Sequence, residues 1–264
     1  CEDCAIGIKE NKDILHMVIA HMEKWKIEPY REEDHKGLVR HVLIRKGFTT
    51  GEIMVCLILN GKKFPGLSDL VDNLKKIDGM TSISINVNTE HTNRILGSEV
   101  IPVYQEVYIT DYIGDVKFRI SPLSFYQVNP EQTEKLYQMA IECAGLTGTE
   151  RVVDAYCGTG TIGIVAAKQA GSVIGVELNR DAVRDARVNA KLNQTDNISF
   201  VQGDATRFMA QMAADGEKAD VVFLDPPRSG STEECLDAID KLSPQKVVYI
   251  SCNPETLARL SLIH

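Results

Sequence analysis

Most cysteines pack as small apolar residues, but Cys252 stands in Tyr249-Ile250-Ser251-Cys252-Asn253-Pro254, where a short apolar run ends and a helix is due near Glu255. A thiol at a strand end, in front of helix amides that favour negative charge, has the setting of a nucleophile. Cys56, Cys143 and Cys235 read instead as small buried hydrophobes. A second candidate is Leu224-Asp225-Pro226-Pro227-Arg228. Two prolines fix φ near about -65° and remove two amide donors, which leaves a rigid lip that presents Asp225 and its carbonyls to a flat base edge. A third is the turn Asp154-Ala155-Tyr156-Cys157-Gly158-Thr159-Gly160-Thr161, and a fourth is Gly175-Val176-Glu177, which sets an acid 17 residues after Gly160. Glycines let the backbone approach a ligand and leave helix amides free. An acid at the next strand end can accept hydrogen bonds from both ribose hydroxyls. Gly203-Asp204-Ala205 ends a further strand, where Asp204 can take an adenine amino group.

Those residues need a scaffold that brings strand ends together. From Glu131 onward the pattern alternates helix and strand, with helices over 131–144, 163–170, 180–192 and 232–241. Strands are expected over 151–155, 172–176, 198–201, 219–224 and 246–250. Short apolar strands between amphipathic helices predict a parallel, doubly wound sheet whose ligand site lies beyond the strands' C-terminal ends. The first hundred residues read as a smaller α+β unit. It holds a helix over 13–25, strands over 38–45 and 52–59 joined as a hairpin, a helix over 67–76 and a strand over 82–87. A second hairpin is expected from 104–109 and 115–120, around Tyr112-Ile113-Gly114. The basic residues Arg40, His41, Arg45 and Lys46 fit either an RNA-facing strip or a solvated strand edge.

The glycine turn contains G-x-G-x-x-G, so a dinucleotide site competes with an S-adenosylmethionine site. The acid directly before the loop, and the lack of a stretch laid out for a pyrophosphate, favour the latter. Asp154 would then meet the amino-acid end of the cofactor, directly or through water. A thiolate beside such a site has a chemical reason. Carbon 5 of uracil is a poor nucleophile until a thiolate adds to carbon 6, and a base must afterwards remove the carbon 5 proton so that elimination expels the cysteine. Methylation of an amine needs no cysteine, so Cys252 separates carbon methylation from nitrogen methylation. A cofactor-binding fragment without turnover is the non-enzymatic alternative.

Taken together, these residues resemble the uridine-C5 RNA methyltransferases of the RumA and TrmA type. The resemblance is carried by Phe118 to Asn129, Asp154 to Thr161, Asp225 to Gly230 and Ser251 to Arg259. It implies a class I S-adenosylmethionine-dependent methyltransferase, a Rossmann-like doubly wound sheet lacking its last strands, over 111–264, preceded by an α+β domain over 1–110. It also implies that Gln127, Tyr156, Glu177 and Asp225 contact S-adenosyl-L-methionine, with Asp204 at a further cofactor position and Cys252 as nucleophile. The substrate it implies is RNA, ribosomal RNA favoured over transfer RNA. The family carries its general base, a Glu, beyond the nucleophile, whereas this sequence stops at His264. Cys4 matches the last ligand of an iron-sulfur cluster found in some members; Cys1 and Cys4 alone do not make a metal site.

Composition bounds these expectations. The 264 residues carry a net charge of -8, are 44% hydrophobic and contain no apolar run of about 20 residues, so no membrane span is expected. Seven cysteines, an odd number scattered through the chain, do not form a secreted disulfide framework. With no signal-peptide pattern, a cytoplasmic monomer with reduced thiols is expected. The first hundred residues are nearly neutral, so the acidity falls on the second half. That suits a cationic cofactor better than phosphate gripping.

Overall fold

The computed structural model describes residues 7–261, so Cys1, Cys4 and His264 lie outside the described residues. The chain divides into two compact units: Cys1–Tyr112 with Arg119–Leu123, and Ile113–Phe118 with Ser124–His264.

The first unit holds α1 (Asn11–Trp25), β1 (Val39–Lys46), β2 (Ile53–Leu59), α2 (Leu67–Leu74), β3 (Met80–Val87) and β4 (Glu99–Tyr104). Its sheet runs β1-β2-β3-β4; β1 and β2 form the expected antiparallel hairpin, β3 returns parallel to β2 after α2, and β4 closes the edge antiparallel. Every residue of β2 is buried, so the strand reads as a continuous apolar run. The basic residues of β1 are spent internally. Arg40 donates to the carbonyls of Asn88, Glu90 and Thr92 and stacks over Tyr30, its guanidinium carbon 4.2 Å from the ring centroid. Arg45 donates to the Ser121 carbonyl, and Lys46 pairs with Glu10 at 2.7 Å. Of the four only His41 is exposed; the other three are half-buried and held in internal bonds rather than along a solvated edge.

The central hairpin is displaced from its expected place: β5 (Ile109–Ile113) pairs with β6 (Val116–Ile120) around Gly114, and the division between the units runs through this hairpin. The stretch before it forms β4, which the sequence reading missed. Pro102 sits in β4 without cost to the central ladder because β4 is an edge strand.

The second unit holds α3 (Pro130–Ala144), β7 (Arg151–Ala155), α4 (Thr161–Ala167), β8 (Ser172–Glu177), α5 (Arg180–Leu192) and β9 (Ile198–Gln202). It continues with α6 (Ala205–Ala214), β10 (Val221–Leu224), α7 (Glu233–Leu242), β11 (Lys246–Tyr249) and α8 (Pro254–Ser261). The strands are all parallel, in the order β11-β10-β7-β8-β9. Alternation along each strand sorts the core into two layers. Val152, Val221 and Phe223 pack with α3, α4 and α5, while Val153, Ala155, Val222 and Leu224 pack with α6 and α7. The chain winds outward from β7 in one direction to β9 and in the other to β11, so the topological switch lies beside β7, where such sheets bind ligands. Helix α6 was not expected; Asp204 caps it by accepting from the Arg207 amide at 2.9 Å. No helix among the described residues is long and apolar enough to cross a membrane.

Candidate active site

Register fixes which loops meet. Leu224 lies between Ala155 and Tyr249, Ala155 is beside Val176, and the Ile250 amide extends the ladder to the Leu224 carbonyl at 2.8 Å. The glycine turn, Glu177, the Asp225 lip and Ser251-Cys252 therefore leave the same edge of one sheet, neighbouring strands being about 4.8 Å apart.

The turn after β7 is held open by its backbone. Tyr156 takes a left-handed φ of 65° and Gly158 one of 54°, costly for the tyrosine and free for the glycine. A side chain at Gly158 would meet nothing within 4 Å, whereas one at Gly163 would come within 2.8 Å of Asp154 Oδ2. One glycine thus leaves space for a ligand and the other lets α4 sit against β7. Glu177 accepts from the Gly158 amide at 3.0 Å through Oε2 and from the Asn179 amide at 2.7 Å through Oε1. Each carboxylate oxygen keeps a second lone pair, so a fixed and half-buried Glu177 can still accept two hydroxyls.

A cleft beside this turn is lined by Gln127, Tyr137, Tyr156, Gly158, Thr161 and Asp225, with Phe125, 71% exposed, at its mouth. The structure thus brings together three of the expected cofactor residues, with Glu177 joined to them through Gly158. Asp204 does not line the cleft; it caps α6 at the end of β9. Tyr156 lines the cleft, but its hydroxyl turns inward to Cys235 Sγ at 3.6 Å, and burial raises the phenol's pKa. One contributor, Tyr137, carries no mark in the sequence motifs. Tyr137, on the buried stripe of α3, shares a 2.9 Å hydrogen bond with the Thr161 hydroxyl, and burial, with Asp225 and Asp154 adding to it, pushes its phenol up. In the sequence Tyr137 is one of the residues buried along α3 with Thr133, Ala140, Ile141 and Ala144, and only its hydroxyl marks it as different.

The electrostatics are acidic throughout. Asp154 is 1% exposed; its Oδ2 accepts from the Gly163 amide at 2.8 Å and its Oδ1 has no partner. Burial pushes its carboxyl up to about 8, against the Gly163 hydrogen bond, with Asp225 and Glu177 adding to the rise. Burial also raises the Asp225 carboxyl. The Asp154 side chain lies beneath the turn and outside the cleft lining, which leaves the water-mediated form of the expected contact as the one its burial fits. No lysine or arginine lines the cleft. An open cradle above Gly158, the Asp225 carboxyl in the lining, Glu177 bonded to the same turn and the lack of any lining cation fit a cationic nucleoside such as S-adenosylmethionine, whose sulfonium and ammonium groups offset carboxylate charge.

Cys252 is exposed, unlike the buried Cys56, Cys157 and Cys235; the other exposed thiol among the described residues, Cys143, is at the C-terminal end of α3. The turn around Cys252 is tied on both sides. Ser251 Oγ donates to the Asn253 carbonyl at 2.8 Å and accepts from the Asn253 amide at 3.1 Å, while Asn253 Oδ1 accepts from the Glu255 amide at 3.0 Å. The lip is fastened to the same strand, because the Ser231 amide donates to the Tyr249 hydroxyl at 3.2 Å and the Gly230 amide to the Pro227 carbonyl at 2.8 Å. A rigid acid and an accessible thiol thus stand on adjacent strand ends.

Residues 17–262 match the family model described as tRNA (Uracil-5-)-methyltransferase. The chain belongs to this family. Among its relatives are an "Uncharacterized RNA methyltransferase" of Halalkalibacterium halodurans, 47% identical over 98% of the chain and 57% of the relative, and one of Clostridium tetani, 43% identical over 98% and 56%. A crystal structure of Pyrococcus abyssi tRNA (uracil-54, C5)-methyltransferase in complex with S-adenosyl-L-homocysteine aligns over 100% of this chain and 62% of its own, with a TM-score of 0.85 and 27% identity. The chain thus spans little more than half the length of the curated relatives it matches. Family membership accords with the expected resemblance and with the class I methyltransferase fold.

Proposed function

We propose that the protein uses S-adenosylmethionine to methylate carbon 5 of a uridine in RNA, with Cys252 as the covalent nucleophile. The observation that carries this reading is the exposed Cys252 on the strand end next to the Asp225 lip, at the sheet edge where Asp225 also lines the cleft. Glu177 would hold the ribose hydroxyls, and Gln127, Asp225 and the ring of Tyr156 would flank the rest of the cofactor, with Asp204 at the adenine end. The cofactor, when bound, supplies an electrophilic methyl group. The Cys252 thiolate adds to carbon 6 of the uracil, the electron pair moves to carbon 5, and that carbon takes the methyl. A general base then takes the carbon 5 proton, and the C–H electron pair re-forms the double bond and expels the thiolate. The Asp225-Pro226-Pro227 lip would hold the edge of the base, which must leave its stack to reach a strand-end site.

The test uses the full-length protein and RNA carrying 5-fluorouridine, which has no carbon 5 proton to lose. A covalent adduct is expected, and Cys252→Ala removes it. A Cys252→Ser protein that keeps most activity and yields an N-methylated nucleoside would overturn the reading. Parallel assays with unmodified ribosomal and transfer RNA transcripts, scored by mass of the nucleosides, separate the ribosomal substrate favoured by the sequence from the transfer RNA named for the Pyrococcus protein.

A further inference from the structure

Helix α5 turns four cations outward from the acidic half of the chain. Arg180, Arg184, Arg187 and Lys191 are all exposed, and at about 100° per residue their side chains leave the helix within an arc of about 60°. The opposite face, with Val183, Ala186, Asn189 and Ala190, is buried. The four cations line a groove of about 700 Å³ that reaches Gln202 at the end of β9. Part of this charge is already engaged, since Arg184 pairs with Asp181 at 2.9 Å and Arg187 donates to the Phe200 carbonyl at 2.9 Å. Arg180 and Lys191 form no ion pair among the described residues.

The stripe is placed as well as charged. Helix α5 begins three residues after Glu177, at the edge of the sheet that bears the cleft, and eleven residues at about 1.5 Å each carry the row about 17 Å from it. At about 3.4 Å of axial rise per nucleotide, that length matches about five nucleotides of one strand. We infer that this face of α5 grips backbone phosphates of the substrate RNA at a distance from the target uridine, because α5 follows β8 and Cys252 follows β11, three strands across the same sheet edge. The inference rests on the proposed RNA substrate. It assigns the acidic half of the chain a phosphate-contacting surface of its own, which the overall charge conceals. An anionic membrane would meet the same charges, but the stripe starts at the catalytic edge, where a substrate must lie.

The test is the double variant Arg180→Gln/Lys191→Gln in the full-length protein, which leaves the internally bonded Arg184 and Arg187 in place. Its probe is an RNA stem-loop with a single loop uridine, titrated from 50 to 300 mM salt, with S-adenosylmethionine affinity measured alongside by calorimetry. Each phosphate contact contributes about 0.7 to 0.9 to the slope of log K against log salt. Loss of two contacts should make the slope shallower by about 1.4 to 1.8 and weaken RNA binding about 10- to 30-fold near 0.15 M salt, with cofactor affinity unchanged. An unaltered RNA slope overturns the inference, as does a loss confined to binding of phosphatidylserine vesicles. A parent protein that binds the RNA but makes no 5-methyluridine would fail the functional reading without touching this measurement.

Discussion

Asp154 makes the protein's stability depend on pH in a direction opposite to that of most carboxylates. Its carboxyl is pushed from 3.8 up to about 8 by burial, with one oxygen unpartnered and the acids of Asp225 and Glu177 near it. Between those values the folded protein holds a proton that the unfolded chain has released. Stability from this group is therefore complete below pH 3.8 and is lost as pH rises towards 8. At about 1.36 kcal/mol per pH unit, the loss by pH 7 is at most about 4 kcal/mol. Local relaxation and water entry reduce such buried-charge penalties, so about 2 kcal/mol is the working figure. Asp154→Asn keeps the shape and an oxygen for the Gly163 amide but cannot ionise. Urea unfolding at pH 5, 7 and 8.5 should show the parent losing stability across the series and the variant losing about 2 kcal/mol less. Parallel pH profiles for the two proteins would refute the argument.

Gly163→Ala would place a methyl 2.8 Å from Asp154 Oδ2 and 3.1 Å from Ile198 Cδ1. Overpacking of this kind costs about 1–3 kcal/mol, and the Tm should fall by several degrees in a calorimetric scan. Asp204→Ala removes the cap of α6 and should cost about 1 kcal/mol in chemical unfolding. If Asp204 also serves the adenine, cofactor affinity measured by calorimetry falls with it, whereas a purely capping Asp204 leaves that affinity unchanged.

The sequence made the second unit legible because its strands are short apolar runs and its helices begin at recognisable caps. Arg151–Ala155 and Arg180–Leu192 coincide with the expected elements. Asp204 at a strand end fits a ligand residue and a helix start alike, and in the fold it is the cap of α6. The β5 arm lies at Ile109–Ile113 rather than over 104–109, with Asp111 at its middle. In the fold Asp111 is fully buried and accepts from the amides of Phe48 and Thr49 at 3.0 and 2.9 Å. Such distant partners leave no mark on local periodicity. The same holds in the site: the spacing of Gly158 and Glu177 was readable, but the inward turn of the Tyr156 hydroxyl and the place of Tyr137 beside Thr161 depend on how α3, α4 and α7 pack on the sheet.

Strand β11 carries a consequence for handling the protein. Among the described residues it pairs with β10 alone, at the margin of the five-stranded sheet, and Val247 on it is 45% exposed. A parallel strand with one side unpaired is a template for any extended segment that reaches it. Material limited to these residues should therefore self-associate as its concentration rises, and a charged residue at 247 would act as a gatekeeper against that stacking.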